Sequence, residues 1–246
     1  MEKKPETKVK IKICGLRTPA DVAAVNAALP EYAGFIFVPM RRRYVAPAQA
    51  AILCRQLDPR IRPVGVFVDA RIEDILEALE HCPLDMVQLH GAEDDDYIAR
   101  LCAAYRARFA VESCEATVDD SSGNVEKRGC ISGEIHGIRK KSRDLCIVKA
   151  FRVEDADDIR RAETSAADEI LLDHGAGGTG ERFDWRLLRH CHRRFFLAGG
   201  LTPDNVEDAI RVAQPYAVDV SSSLETDGRK EPEKIRRFVA TVRRSL

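Results

Sequence analysis

The residues of this chain whose types could do chemistry are a cysteine, an aspartate, a cluster of arginines and several Gly- and Ser-rich turns. Cys14 lies near the end of the run Lys10 to Gly15, and Asp173 ends the run Glu169 to Asp173. A thiol accepts a proton once a nearby cation or dipole lowers its pKa, and a carboxyl pushed upward by partial burial can donate one. Together they could move protons on two sides of a substrate. The plainer reading of Cys14 is as a small buried hydrophobe, one of eight cysteines in the chain. Two Gly-rich turns come late, Gly175-Ala-Gly-Gly-Thr-Gly180, which holds Gly178 and Gly180, and Ala198-Gly199-Gly200; Ser221-Ser222-Ser223 follows. Backbone N–H groups bared by glycine, together with serine hydroxyls, form an anion cradle. A Gly pair alone would make only a tight turn, but these features close neighbouring elements and point to a phosphorylated small molecule. Arg41-Arg42-Arg43-Tyr44 could grip a carboxylate or phosphate in bidentate fashion; for Arg41 and Arg42 a solvated loop is the preferred reading.

These residues need a frame. Short β-rich runs occur at Lys10 to Gly15, Tyr32 to Val38, Pro63 to Asp69, Met86 to His90, Cys146 to Phe151, Glu169 to Asp173, Phe195 to Gly200 and Ala217 to Ser222. Helical patterns cover Pro19 to Leu29, Pro47 to Leu57, Ile72 to Cys82, Asp94 to Phe109, Ala156 to Ser165 and Pro203 to Ala213. Steps between runs are about 22 to 30 residues, one βα unit each, except a step of about 60 between the fourth and fifth. This predicts an α/β fold, a parallel eight-stranded (β/α)8 TIM barrel with an insertion between strands 4 and 5. The main rival, a doubly wound sheet, usually places its phosphate loop after the first strand, whereas here the cradle comes late. Alternation with an apolar outer face turns Lys12, Cys14, Gln88, His90, Asp173, Asp219 and Ser221 inward, and the same rule applied to strand 5 adds Lys149. Strands 1 and 8 adjoin in a closed barrel, so Lys12 is expected to pair with Asp219.

The chain has 246 residues, 45% hydrophobic and 32% charged, enough to bury a core, and is read as one barrel domain over 1–246. Its net charge of -1 argues against a dedicated nucleic-acid partner. No run approaches a membrane span, and the opening residues hold no apolar signal region, so no membrane partner and a cytoplasmic location are expected. The cysteines form no Cys-x-x-Cys pair and read as reduced thiols.

Taken together the segments resemble the phosphoribosylanthranilate isomerase family. The matching segments include Lys12-Ile-Cys-Gly-Leu-Arg17, Gly34-Phe-Ile-Phe-Val-Pro39 with Arg43-Tyr44-Val45, Val87-Gln-Leu-His-Gly91, Gly177-Gly-Thr-Gly180, Leu197-Ala-Gly-Gly-Leu201 and Val218-Asp-Val-Ser-Ser222. The resemblance implies an Amadori rearrangement of N-(5-phosphoribosyl)anthranilate in tryptophan biosynthesis, with no cofactor and no metal. By the family pattern Asp173 is the general acid, Cys14 the general base, and Arg43 the group that binds the anthranilate carboxylate. Gly178, Gly180, Gly199, Gly200, Ser221 and Ser222 would hold the phosphate, with Gln88, His90 and Asp219 as further substrate-binding residues. The expected assembly is a monomer or homodimer.

The chain departs from that pattern in places. Met40-Arg41 stands where the family usually has Lys-Ser, which leaves Arg41 as a rival to Arg43, and Ser223 replaces a usual Gly beside the phosphate turn. Residues 110–145 form the insertion, rich in charge, Ser and Gly; Cys114 and Cys130 flank a turn that suggests a hairpin rather than a metal site. Chain order puts this segment at the face opposite the site. Alternative functions are the related phosphoribosyl isomerase of histidine biosynthesis, which typically pairs two aspartates, and a non-catalytic phosphosugar-binding barrel.

Overall fold

The computed structural model describes residues 8–109, 144–173 and 184–245. Eight parallel strands close a barrel in chain order: β1 (Lys10–Cys14), β2 (Tyr32–Ile36), β3 (Arg62–Phe67), β4 (Met86–Leu89), β5 (Cys146–Arg152), β6 (Glu169–Asp173), β7 (Phe195–Ala198) and β8 (Ala217–Val220). Around them lie α1 (Pro19–Ala28), α2 (Pro47–Gln56), α3 (Ile72–His81), α4 (Asp95–Phe109), α5 (Ala156–Thr164), α6 (Val206–Ala213) and α7 (Pro232–Arg244). A 3₁₀ turn, Trp185–His190, occupies the helical position after β6. The expected insertion lies between α4 and β5, where 110–143 fall outside the described residues.

Local sequence explains the helix starts. Thr18 and Asp21 form a capping box ahead of α1 with Pro19 in its first turn, and Asp155 with Asp158 does the same for α5. Helix α6 begins at Val206 rather than Pro203 because Thr202 and Asn205 tie Pro203 to Asn205 into a turn, the Thr202 N–H donating to Asn205 Oδ1 at 2.8 Å. Helix α7, absent from the sequence reading, buries Ile235, Phe238, Val239 and Val242 and packs against α1 and α6, closing the helical ring.

Several predicted strands overrun their ladders by one or two residues, and the overrun is where the site lies. Val38, Val68, His90, Gly199, Gly200, Ser221 and Ser222 follow the last paired residues and line the top cavity. Parity holds as expected in most strands. Ile11, Ile13, Val87, Leu89, Ile170, Leu172, Val218 and Val220 pack outward against the helices, while Tyr32, Val64, Met86, Val148, Ala150, Leu171, Phe196, Ala198 and Ala217 fill the interior. Burying each large apolar side chain contributes roughly 1.5–3 kcal/mol.

Lys149 corrects the reading of strand 5. It pairs in register with Leu89 and Ile170, both outward residues, and its ammonium lies under the β4–α4 loop. There it donates to the Gly91 carbonyl at 2.7 Å and meets Glu93 at 3.3 Å, both side chains being buried. Strand 5 carries apolar residues on both parities, Ile147 and Phe151 on one and Val148 and Ala150 on the other, so its pattern left the face undetermined.

Candidate active site

A cavity of about 820 Å³ opens at the C-terminal ends of the strands. Its lining includes Cys14, Arg43, Gln88, His90, Asp173, Gly199, Gly200, Asp219, Ser221 and Ser222, so the barrel gathers these predicted residues in one place. Gly178 and Gly180, and the whole turn around them, lie outside the described residues.

Cys14 ends β1 opposite Gly34 of β2. A Cβ added at Gly34 would fall 2.8 Å from the Cys14 Sγ, so the glycine is what gives the thiol room. Two residues earlier, Lys12 and Asp219 are register partners across the seam that closes the barrel, and Lys12 Nζ meets Asp219 Oδ1 at 3.0 Å. Burial works against the ammonium, but the facing carboxylate outweighs it and raises the Lys12 pKa. The expected downward pull on Cys14 is present but does not win. Burial pushes the thiol up, and Lys12 and Lys230 only partly offset it. Cys14 is therefore held as a thiol beside two cations that favour its thiolate.

Asp173 has a partner that the sequence did not reveal. His90 Nε2 lies 3.4 Å from Asp173 Oδ2, and Gln88 Nε2 lies 2.8 Å from His90 Nδ1. With the amide donating to Nδ1, the histidine carries its proton on Nε2, facing the carboxylate. Gln88 is 1% exposed, and its Oε1 has no hydrogen-bond partner among the described residues. A buried acceptor of that kind costs about 1–3 kcal/mol unless satisfied, and here it borders the cavity.

The loops after β7 and β8, the expected anion cradle, line one side of the cavity. Gly199 and Gly200 take positive φ values of 89° and 63°, and nothing lies within 4 Å of a Cβ built on Gly200, so its backbone borders open space. Ser221 Oγ donates to the Cys14 carbonyl at 3.0 Å, joining β8 to β1. Ser223 donates to the Leu201 carbonyl at 2.5 Å and ties the two loops together.

The arginine side is more strongly paired than its sequence suggests. Arg41 is exposed, as expected. Arg42 is exposed too, but it is not merely solvated, for it pairs with Glu225 Oε2 at 2.5 Å. Arg43 Nε donates to Glu225 Oε1 at 2.6 Å, and Lys230 Nζ reaches the same oxygen at 3.1 Å. Burial pushes the Glu225 carboxyl up, yet Arg43 and Lys230 outweigh it and hold it at about 2. Glu225 and Lys230 sit on a small hairpin, β9 (Glu225–Thr226) and β10 (Arg229–Lys230), turned by Asp227 and Gly228 with φ of 51° and 77°. An Asp-Gly pair between two short runs is a strong hairpin signal that could have found it.

Comparison with known proteins bears on the whole barrel. The family model for N-(5'phosphoribosyl)anthranilate (PRA) isomerase matches residues 11–129 and 134–241. The N-(5'-phosphoribosyl)anthranilate isomerase of Acetivibrio thermocellus is 37% identical over 241 residues, 95% of each chain. A crystal structure of phosphoribosyl anthranilate isomerase in complex with reduced 1-(o-carboxyphenylamino)-1-deoxyribulose 5-phosphate is similar with a TM-score of 0.70 and 30% identity, covering 95% of this chain and 98% of that one. A crystal structure of generated monomers of the dimeric Thermotoga maritima enzyme matches with the same score, identity and coverage. Likeness of this extent reaches every βα unit, and it excludes both the histidine-pathway isomerase and a barrel known only for binding as the family of origin. The chain belongs to the phosphoribosylanthranilate isomerase family, the isomerases of tryptophan biosynthesis.

Proposed function

We propose that the proton transfers of the Amadori rearrangement are divided in this cavity between Asp173 and Cys14. Asp173 gives its carboxyl proton to the ribose ring oxygen as the C1′–O bond breaks, and the anilino nitrogen lone pair forms the iminium. Cys14, as thiolate, takes the C2′ proton, and the C–H electrons form the C1′=C2′ bond of the enolamine. Tautomerisation then yields 1-(2-carboxyphenylamino)-1-deoxyribulose 5-phosphate. Arg43 receives the anthranilate carboxylate. Gly178, Gly180, Gly199, Gly200, Ser221 and Ser222 hold the phosphate, and Gln88, His90 and Asp219 shape the middle of the site.

One observation carries this reading. Cys14 and Asp173 line a single cavity, with the glycine and serine loops and Arg43 on its rim. Such spacing lets one substrate meet an anion cradle, an acid, a base and a guanidinium together. Lys12 and Lys230 favour the thiolate once a base is required. The proton transfers proposed here need only side chains of this protein.

We infer further that the chain is one barrel domain with an insertion at about 110–145, works in the cytoplasm, and is a monomer or homodimer. Among the described residues no helix is long and apolar enough to cross a membrane. The test of the roles is turnover of freshly generated phosphoribosylanthranilate by Cys14→Ala and Asp173→Asn. Each should lose on the order of 10²- to 10⁴-fold in kcat while still binding substrate. Near-normal turnover in either would show its assigned role to be wrong.

A further inference from the structure

The carboxylate Glu225 stands outside the cavity lining yet is the common partner of three cations. Its side chain is only 5% exposed, and that of Lys230 only 1%. Arg43 meets it through two donors, Nε to Oε1 at 2.6 Å and Nη2 to Oε2 at 3.3 Å. Lys230 bridges from the same carboxylate to the Ser221 carbonyl at 2.8 Å, on the phosphate side. The hairpin bearing both residues is itself fastened to the arginine loop. Arg17 donates to the Arg42 carbonyl at 2.9 Å and to the Gly228 carbonyl at 2.6 Å. Gly15, at a φ of 84°, lets Arg43 cross, since a Cβ there would lie 2.7 Å from the arginine Cδ.

We infer that Glu225 is a positioning residue: it grips the back of the Arg43 guanidinium and aims the remaining N–H donors into the cavity at the substrate carboxylate, while Lys230 ties that aim to the phosphate loop. A guanidinium has five N–H donors, and the bidentate contact with Glu225 uses two of them. The remaining donors form the face left to the ligand. A long arginine held by a buried carboxylate loses its rotamer freedom before substrate arrives, so less ordering is required on binding. The gain belongs to ground-state and transition-state binding alike, which places the effect in KM rather than kcat. The inference rests on the assignment of Arg43 to the anthranilate carboxylate.

The test is steady-state kinetics of Glu225→Gln, Arg43→Ala and the double variant, all in the full chain. Glutamine can accept one N–H but presents its own amide to the second, so the bidentate grip is broken. We expect KM for phosphoribosylanthranilate to rise about ten-fold and kcat to stay within about three-fold. Combined with Arg43→Ala, the same change should have almost no further effect, because there is no guanidinium left to aim. A purely structural role for Glu225 would lower the active fraction, and hence kcat, equally in both backgrounds. Because Glu225→Gln leaves Lys230 buried without its carboxylate, Glu225→Asp provides a variant that keeps the charge but withdraws it from Arg43. It should show the same KM rise in a protein with native circular dichroism. Unchanged KM in a folded Glu225 variant, or an equal KM rise with and without Arg43, overturns the inference while leaving the carboxylate assignment intact. A normal KM in Arg43→Ala overturns the assignment and the inference with it.

Discussion

The two ends of this barrel are built from the same eight strands and behave oppositely. At the N-terminal end the polar groups satisfy one another. Lys10 Nζ donates to the Tyr216 hydroxyl at 2.5 Å, and that hydroxyl lies 3.4 Å from the Tyr32 hydroxyl. Arg62 covers the Tyr32 ring at 5.6 Å, Arg194 covers Tyr216 at 4.6 Å, and Phe196 packs on both tyrosine rings. Cation and ring stack into a plug. At the C-terminal end a cavity of about 820 Å³ holds a Gln88 oxygen that has no partner among the described residues and a thiol that burial keeps protonated. Groups that complete one another close an end of a barrel; groups left incomplete open it to a ligand. The difference predicts that most of the stability cost falls on changes in the plug and most of the activity cost on changes around the cavity.

If so, changes at the top should cost rate and changes at the bottom should cost stability. The largest expected effect is the loss of kcat in Cys14→Ala and Asp173→Asn, and thermal denaturation of both should match that of the unmodified protein. A large fall in Tm would mean that the top layer also supports the fold. Next is Phe196→Ala in the plug, where removing a ring that is 1% exposed should destabilise by about 3–5 kcal/mol in urea. Its kcat/KM per folded molecule should stay close to normal, and a collapse of activity in the folded fraction would join the two layers.

Smaller effects sharpen the same division. Arg43→Ala should raise KM about ten-fold or more, whereas Arg41→Ala should change it little, because Arg41 is exposed and has no ion-pair partner among the described residues. The reverse order would shift the carboxylate contact to Arg41. Glu225 offers a test by pH. Its folded pKa, about 2, lies below the usual 4.5, so its contribution to stability is complete above 4.5 and disappears as pH falls towards 2. Acid titration of stability in Glu225→Gln should therefore be flatter than in the unmodified protein between those values, and parallel curves would refute the depressed pKa. The smallest effect should come from replacing 110–143 by a short Gly-Ser linker. Helix α4 ends at Phe109, and β5 begins at Cys146 beside Met86, so both junctions lie at the plugged end. Activity should remain within a few-fold, and its loss in a folded deletant would bring the segment to the top.

The sequence by itself determined the barrel and most of its cavity. Apolar residues at alternate positions turned Cys14, Gln88, His90 and Asp219 inward, and the strand ends marked which of them meet the site, because a period-two pattern with a helix-covered outer face leaves one solution. Where both parities are apolar that logic has nothing to act on, and for that reason Lys149 lies on the outer face against the expectation. Only the tertiary structure decided which charges face each other. His90 meets Asp173, Glu225 gathers Arg42, Arg43 and Lys230, and Glu93 receives Lys149. The Lys12–Asp219 pair was legible because closure makes β1 and β8 neighbours whatever their sequences. The other pairs join loops and long side chains, whose reach spans several partners and whose choice depends on burial and on the turns that bring separate βα units together.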